Sequence, residues 1–238
     1  MTTQGNNHIT YGGRTIDFRL VFAARKTMEI AVYPDGQVVV KAPTGTDPQI
    51  IRERLHKRAR WIERQLNYFD QFEPRTPARR YVGGESHLYL GRRYRLKIRQ
   101  GGSDQVKLIG GFFYVTVNGN PSAQRVKQLL DQWYLEKAAI RFKTLLNQRL
   151  PEFLQIDATP PLLIIRRMRT RWGSLSSKGR LSLNMELIRA PQECIDYVIT
   201  HELCHLKHSR HDHAFYRCLE QHMPDWQKRK HKLEMALV

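Results

Sequence analysis

The chain predicts an α+β fold, with a β-rich first half crossed by one helix and a helix-dominated second half. Three observations carry this expectation. Residues 14–41 and 86–117 alternate apolar and polar side chains at the two-residue period of half-buried strands, broken by Gly-Gly pairs and an Asp35-Gly36 turn signal. Residues 48–69 and 123–150 instead repeat apolar residues at helical spacing. From residue 191 onward the pattern is almost wholly helical. At 238 residues the chain has room for one large domain or two small ones. The break at Asn118–Ser122 places the expected boundary near 120, with a β-rich module over 1–120 and a second domain over 121–238.

The elements follow in order. The segment "TMEIAVYPDGQVVVKAP" alternates on both sides of Asp35-Gly36, which predicts a hairpin. Asp47 then reads as a helix N-cap with Pro48 at the first helical position. Ile51, Leu55, Ala59, Ile62, Leu66 and Phe69 form the inward face of that helix. Arg52, Arg54, Lys57, Arg60 and Arg64 form its opposite face, a stripe that tracks phosphates in some proteins and is more often simply solvated. The Pro- and Arg-rich segment 73–80 reads as a linker. Strands are expected near 86–90, 92–99, 105–109 and 112–117. A long helix over 123–150 turns Val126, Leu129, Leu130, Trp133, Tyr134, Ala138, Leu145 and Leu146 inward. Three prolines between 151 and 161 end it. "PLLIIRRMRTRWGSLSSKGRLSLNMELI" reads as two strands joined by a polar turn at Ser176–Gly179. Pro191 opens a helix to about 208, and another begins near Asp212, breaks at Pro224 and resumes. No internal repeat or low-complexity tract is visible.

Composition narrows the class. Hydrophobic residues are 41% and charged residues 26%, as in globular chains. No apolar run reaches the roughly eighteen residues of a membrane span, and the polar N-terminus lacks the apolar core of a secretory signal. A cytoplasmic, membrane-free protein is the expectation. Cys194, Cys204 and Cys218 form neither a C-x-x-C pair nor a disulfide framework, so buried reduced thiols are expected. Forty Lys and Arg against twenty-two Asp and Glu give a net charge of +18. Such an excess favours polyanions, so DNA or nucleotides are expected candidates for the basic surface.

The chemistry concentrates in "HELCH", His201 to His205. Residues four apart on a helix share one face, so two imidazoles can hold one metal ion. Zinc takes neutral nitrogen ligands and, in catalytic sites, keeps one position for water. Glu202 sits about 100° around the helix from His201, placed to act on that water as general base without ligating the metal. His211 is the expected third ligand, because its spacing matches the H-E-x-x-H-x-x-G-x-x-H class. A continuous helix would rotate His211 off the ligand face. The helix must therefore end near His208, with Ser209 and Arg210 helping the chain turn back. His208, His213, Asp212 and Glu220 are the competing donors. Met223 reads as a core residue, with a methionine turn under the metal as the alternative.

The stretch "RTRWGSLSSKGRLSLNMELIRAPQECIDYVITHELCHLKHSRHDHAFY" resembles the YgjP-like metallopeptidase family, related in motif to the SprT-like and WLM metalloproteases. The resemblance rests on "RWGS" at Arg171–Ser174, "SLN" at Ser182–Asn184, "DYVI" at Asp196–Ile199 and "HELCHLKHSRH" at His201–His211. It covers about residues 165–226 strongly and the first half more weakly. It implies a zincin-like domain with His201, His205 and His211 as zinc ligands and Glu202 as base. Leu175 stands where the family has Cys, and Met185 where it has Trp, which implies a repacked hairpin. The related proteases are associated with clearing proteins bound to DNA, an association compatible with the basic charge.

Peptide hydrolysis by a metal-activated water is thus the leading expectation, with a protein or peptide as substrate. The oxyanion-stabilising residue is open between Arg171 and His213. A strand edge beside the motif helix offers a place for an extended peptide to pair. A second reading gives the same zinc a nucleotide or other phosphate ester to hydrolyse. The lack of a G-x-x-x-x-G-K phosphate loop weighs against it. A third makes the chain a nucleic-acid-binding module with a structural metal. Against this, structural zinc sites usually complete four protein ligands, and Glu202 would have no purpose.

Overall fold

The structure, a computed structural model, describes residues 3–33, 35–70, 79–154, 159–168 and 170–237. Of the expected linker, residues 73–78 lie outside this description, as does the Phe69 side chain. The overall class is α+β. The chain forms two compact units, Met1–Thr76 and Pro77–Leu237. Among the described residues no helix is long and apolar enough to cross a membrane.

In the first unit, strands β1 (Thr3–Tyr11) and β2 (Arg14–Ala23) are joined through Gly12 and Gly13, both at positive φ. Glycine adopts that conformation without the Cβ clash other residues meet. β1 lies outside the strands expected from the sequence, because its polar residues hide an edge strand that pairs with β2. Strands β3 (Glu29–Val32) and β4 (Val38–Pro43) form the expected hairpin, in which Gly36 N–H donates to the Tyr33 carbonyl at 3.0 Å. β2 and β4 run parallel, giving the order β1-β2-β4-β3. Helix α1 (Pro48–Asp70) follows, and Asp47 Oδ1 accepts from Gln49 N–H at 2.8 Å as the expected cap. Ile16, Phe18 and Leu20 of β2 and Ile51, Leu55, Ala59 and Ile62 of α1 close one core. Burial of each large apolar side chain contributes about 1.5–3 kcal/mol. The basic stripe of α1 is exposed.

The second unit begins with the same plan. Strands β5 (Ser86–Tyr89), β6 (Arg92–Gly101), β7 (Gln105–Ile109) and β8 (Phe112–Asn118) form a sheet of order β5-β6-β8-β7. Its inner strands β6 and β8 are again parallel and its hairpins antiparallel. Helix α2 (Ala123–Arg149) follows, capped by Ser122 Oγ, which accepts from Arg125 N–H. This corrects the expectation of no internal repeat: a four-strand, one-helix unit occurs twice. Tyr11 and Arg14 close the first hairpin turn, and Tyr89 and Arg92 close its counterpart. The repeat is carried by topology and alternation, with little shared sequence beyond that turn.

The third sheet holds β9 (Leu162–Arg166), β10 (Gly173–Leu175) and β11 (Arg180–Asn184) in the order β10-β11-β9. Two strands were expected here and three form, because residues 167–168 and 170–172 break the run. β10 and β11 make the expected hairpin, while β9 pairs parallel to β11. Asn184 stitches the break, with its side-chain amide donating to the carbonyls of Met168 and Arg171. A short 3-10 helix (Met185–Arg189) leads to α3 (Gln192–Cys204), then α4 (His213–His222) and α5 (Trp226–Leu237).

One core joins β8, α2, β11 and α3 through residues such as Phe113, Leu130, Tyr134, Leu183 and Ile199. The division between compact units therefore falls at Thr76/Pro77, not near 120 as expected. The physical reason is α2, which buries side chains around much of its circumference, Trp133, Tyr134, Ala138, Phe142 and Leu145 among them. The β5–β6 turn adds a second tie, because Leu90 and Gly91 N–H groups donate to the carbonyls of Ile188 and Arg189. Cys194, Cys204 and Cys218 are buried free thiols, as expected.

Candidate metal centre and cleft

Helix α3 owes its position to its apolar run. Ile195, Val198, Ile199 and Leu203 are buried, so the helix is packed along its length and carries His201 and Glu202 into the interior of a cleft. Asp196 anchors it further, accepting from Arg149 of α2 at 2.6–2.7 Å and from Arg229 of α5 at 2.8 Å. The helix ends at Cys204, earlier than the expected His208. Leu206, Lys207 and His208 N–H groups bond back to the carbonyls of Leu203 and Cys204 in a tight turn. That turn sends the chain back, and Asp212 caps α4 by accepting from Phe215 N–H at 3.1 Å.

The consequence is a cluster of three imidazoles. One nitrogen from each of His201, His205 and His211 lies within 4.8 Å of the others, and His201 Nε2 and His211 Nε2 are 3.0 Å apart. His205 Nδ1 is 2.9 Å from the His208 carbonyl oxygen. A proton there donates to that carbonyl and leaves Nε2 with its lone pair free. Burial, with the neighbouring His211 and His205, pulls the pKa of His201 down to about 3. Burial and His205 also lower that of His211. Neutral imidazole is the form that donates to a metal ion. Nitrogens bound to one tetrahedral zinc stand about 3.4 Å apart, a spacing this trio can meet with small movements. The donor set therefore fits a zinc-like divalent ion.

Glu202 is buried beside the cluster, and its Oε2 accepts from Leu175 N–H at 2.9 Å. Burial pushes its pKa up to about 7, against the pull of the Leu175 N–H and the Arg171 charge. The cleft, about 660 Å³, is lined by Arg171–Ser177 on one side and by Tyr197, Val198, the three histidines and Ser209 on the other.

The structure thus brings His201, Glu202, His205 and His211 together. It does not bring the competing donors: among the described residues the cluster that could hold a metal ion contains only those three histidines. His208 contributes its carbonyl, His213 lies 2.9 Å from Arg217 Nη2, and Asp212 is the helix cap. Arg171 lines the cleft and His213 does not. Met223 is a buried core residue.

Three contributors were missed. Phe215 is fully buried under the trio, its ring centroid 4.6–4.9 Å from each imidazole. Gly173 leaves the space that Glu202 fills, since a Cβ there would lie 2.7 Å from Glu202 Cγ and Oε1. Leu175 holds Glu202 through its backbone N–H, so its side chain takes no part in the tether. The glycine of "RWGS" was the signal available for Gly173; nothing in the sequence singles out Phe215.

The profile of a family described as "YgjP-like, metallopeptidase domain" matches residues 26–236. No curated protein matches the chain. Among solved structures, it is similar to the metallopeptidase zymogen abylysin of Pyrococcus abyssi, at 24% identity over 41% of this chain and 99% of that one, with TM-score 0.35. It is also similar to the metallopeptidase zymogen jannalysin of Methanocaldococcus jannaschii, at 24% identity over 41% of this chain and 97% of that one, with TM-score 0.36.

Proposed function

Because the chain belongs to the YgjP-like metallopeptidase family, we propose that it is a zinc-dependent peptidase with a zincin-like active site. In this reading His201, His205 and His211 hold the ion and Glu202 is the general base. The observation that carries it is the trio of converging imidazole nitrogens beside a buried, singly tethered carboxylate.

Zinc held there would polarise the scissile carbonyl and acidify an attacking water. The protein's own groups do the rest. The His208 carbonyl fixes the tautomer and orientation of His205. The Leu175 N–H aims Glu202, and burial gives its carboxylate a proton affinity near neutrality, where a group best accepts a proton and returns it to the leaving amine. Phe215 keeps water from beneath the imidazoles. β10 is an edge strand that lines the cleft, so an extended peptide would pair along it. Arg171 is the cation among the residues lining the cleft, and so the candidate to stabilise the developing oxyanion.

The test is purified protein assayed for metal by elemental analysis and for hydrolysis against casein peptides and a panel of nucleotides. Wild type is expected to carry about one zinc and cleave peptide. Glu202→Gln is expected to keep the metal and lose about 10²–10⁴-fold in rate. Equal rates in the two proteins would remove Glu202 from the mechanism, and turnover of nucleotides alone would replace the peptidase reading. Gly173→Ala pushes a methyl group into Glu202. It is expected to lower kcat about 10²-fold with metal content unchanged, since displacing a reacting group by an ångström has that scale of effect.

A further inference from the structure

The strands of the β5-β6-β8-β7 sheet have one face in the core and one outside. Tyr94, Leu96 and Ile98 of β6, with Phe113, Val115 and Val117 of β8, pack inward. By the two-residue period of a strand, Arg93, Arg95, Lys97 and Arg99 of β6 and Phe112, Tyr114 and Thr116 of β8 share the outer face. These are the two central strands. Their register sets Arg95 beside Phe112, Lys97 beside Tyr114 and Arg99 beside Thr116. Lys107 of β7 flanks Tyr114 from the other side.

The chemistry of this face is one-sided. The four strands contain six Lys and Arg, at 92, 93, 95, 97, 99 and 107, and no Asp or Glu. Among the described residues, the adjacent Asp104 is already engaged by Arg125 and by the Asn118 N–H. The two aromatic rings stand 6.0 Å apart, centroid to centroid. Lys97 Nζ lies 3.8 Å from the Phe112 centroid, and Arg99 lies 5.8 Å from that of Tyr114. Like charges in a row destabilise one another unless an anion sits among them. Phe112 and Tyr114 are half-buried on this face, and the flexible Lys97 side chain that lies over both rings is the cover a flat base would replace.

We propose that this outer face is a docking platform for a single-stranded polynucleotide. Its phosphates would run along the β6 cations, and two unstacked bases would lie on Phe112 and Tyr114. Recognition of single strands commonly pairs a basic track with aromatic rings on a sheet, because every base has a stackable face. A duplex hides its base faces and presents no such partner. The platform shares no residue with the metal-centre cleft.

The experiment is fluorescence anisotropy with labelled dT15 and rU15, each also offered as a duplex with its complement, against the full chain and variants whose folding is checked by circular dichroism. At least one single strand is expected to bind more tightly than its duplex. Its affinity should fall with salt at a log–log slope of about −2 to −3, as for three or four neutralised phosphates. Lys97→Ser/Arg99→Ser is expected to weaken binding at least tenfold. Tyr114→Leu should weaken it about tenfold with the salt slope unchanged, the signature of a stacking contact. Arg54→Ser/Arg60→Ser, on the exposed face of α1, should bind as the parent does. The proposal fails if duplex binds as well as single strand. It fails equally if Tyr114→Leu is neutral, or if the α1 variant loses as much as the β6 variant, since net charge alone would then explain binding.

Discussion

Residues 3–70 and 86–149 fold by the same plan, two hairpins joined through parallel inner strands and followed by a helix, yet they differ at nearly every outward position. Aligned at the hairpin turn, Asp17 of β2 corresponds to Arg95 of β6 and Val21 to Arg99; aligned through the parallel register, Val39, which is buried, corresponds to the half-buried Tyr114. The first sheet's strands carry both signs, Arg14, Arg19 and Lys41 with Asp17 and Glu29, and Glu29 pairs with Arg25 and Lys41. The second sheet's strands carry only Lys and Arg. The helices diverge too. α1 buries a single narrow face, whereas α2 buries enough of its surface to pack on a sheet and on α3. The difference teaches that the plan requires alternation and a glycine turn and little else. What each copy does is written on the positions the fold leaves free.

The largest expected effect lies at a turn position where the two copies share both residue and conformation. Gly13 and Gly91 are equivalent turn residues, each with φ of +78°. A Cβ on Gly13 meets nothing within 4 Å, whereas one on Gly91 would sit 2.7 Å from Pro191 Cγ. Gly13→Ala should therefore cost only the left-handed strain, about 1 kcal/mol. Gly91→Ala adds displacement of the Pro191 segment that opens α3, and is expected to cost about 2–4 kcal/mol in all. Urea denaturation of the two variants measures the difference. Equal losses would mean that the second turn is no more committed to its surroundings than the first.

Much of this was legible in the residues. The Asp35-Gly36 hairpin, the Asp47-Pro48 helix start and the four strands from 86 to 118 are each marked by local turn or cap chemistry. The three histidines and Glu202 were marked by spacing, and His211 by the need for a turn after the helix. Three things were hidden for physical reasons. Polar β1 is held by backbone pairing to β2, which leaves little trace in side-chain character. The repeated plan leaves little sequence trace because the fold constrains the inward residues only to be apolar, and the outward ones hardly at all. The unit boundary was misplaced because the Asn118–Ser122 loop resembles a linker, whereas α2 beyond it completes the core of the sheet before it. The support of Glu202 by Gly173 and Leu175 depends on strand and helix meeting across 27 residues of chain, a contact that no local pattern encodes.

The smallest effect is the most discriminating. Asp17 and Arg95 are exposed at equivalent places on the two sheets. If outward residues carry function and not fold, exchanging them should hardly alter stability. Asp17→Arg and Arg95→Asp are each expected to change unfolding free energy by less than about 0.5 kcal/mol, the usual range for exposed substitutions. Their effects on polynucleotide affinity should be opposite in kind. Arg95→Asp places a carboxylate in the middle of the β6 cation row, beside Phe112, and should reduce single-strand binding more than tenfold. Asp17→Arg adds a cation to a sheet whose corresponding central strand offers Val39 in place of Tyr114. It should leave binding unchanged, because charge without a stacking surface does not hold a base. A gain of affinity from Asp17→Arg equal to the loss from Arg95→Asp would show that the two faces differ only in charge, and the functional contrast between the copies would reduce to electrostatics.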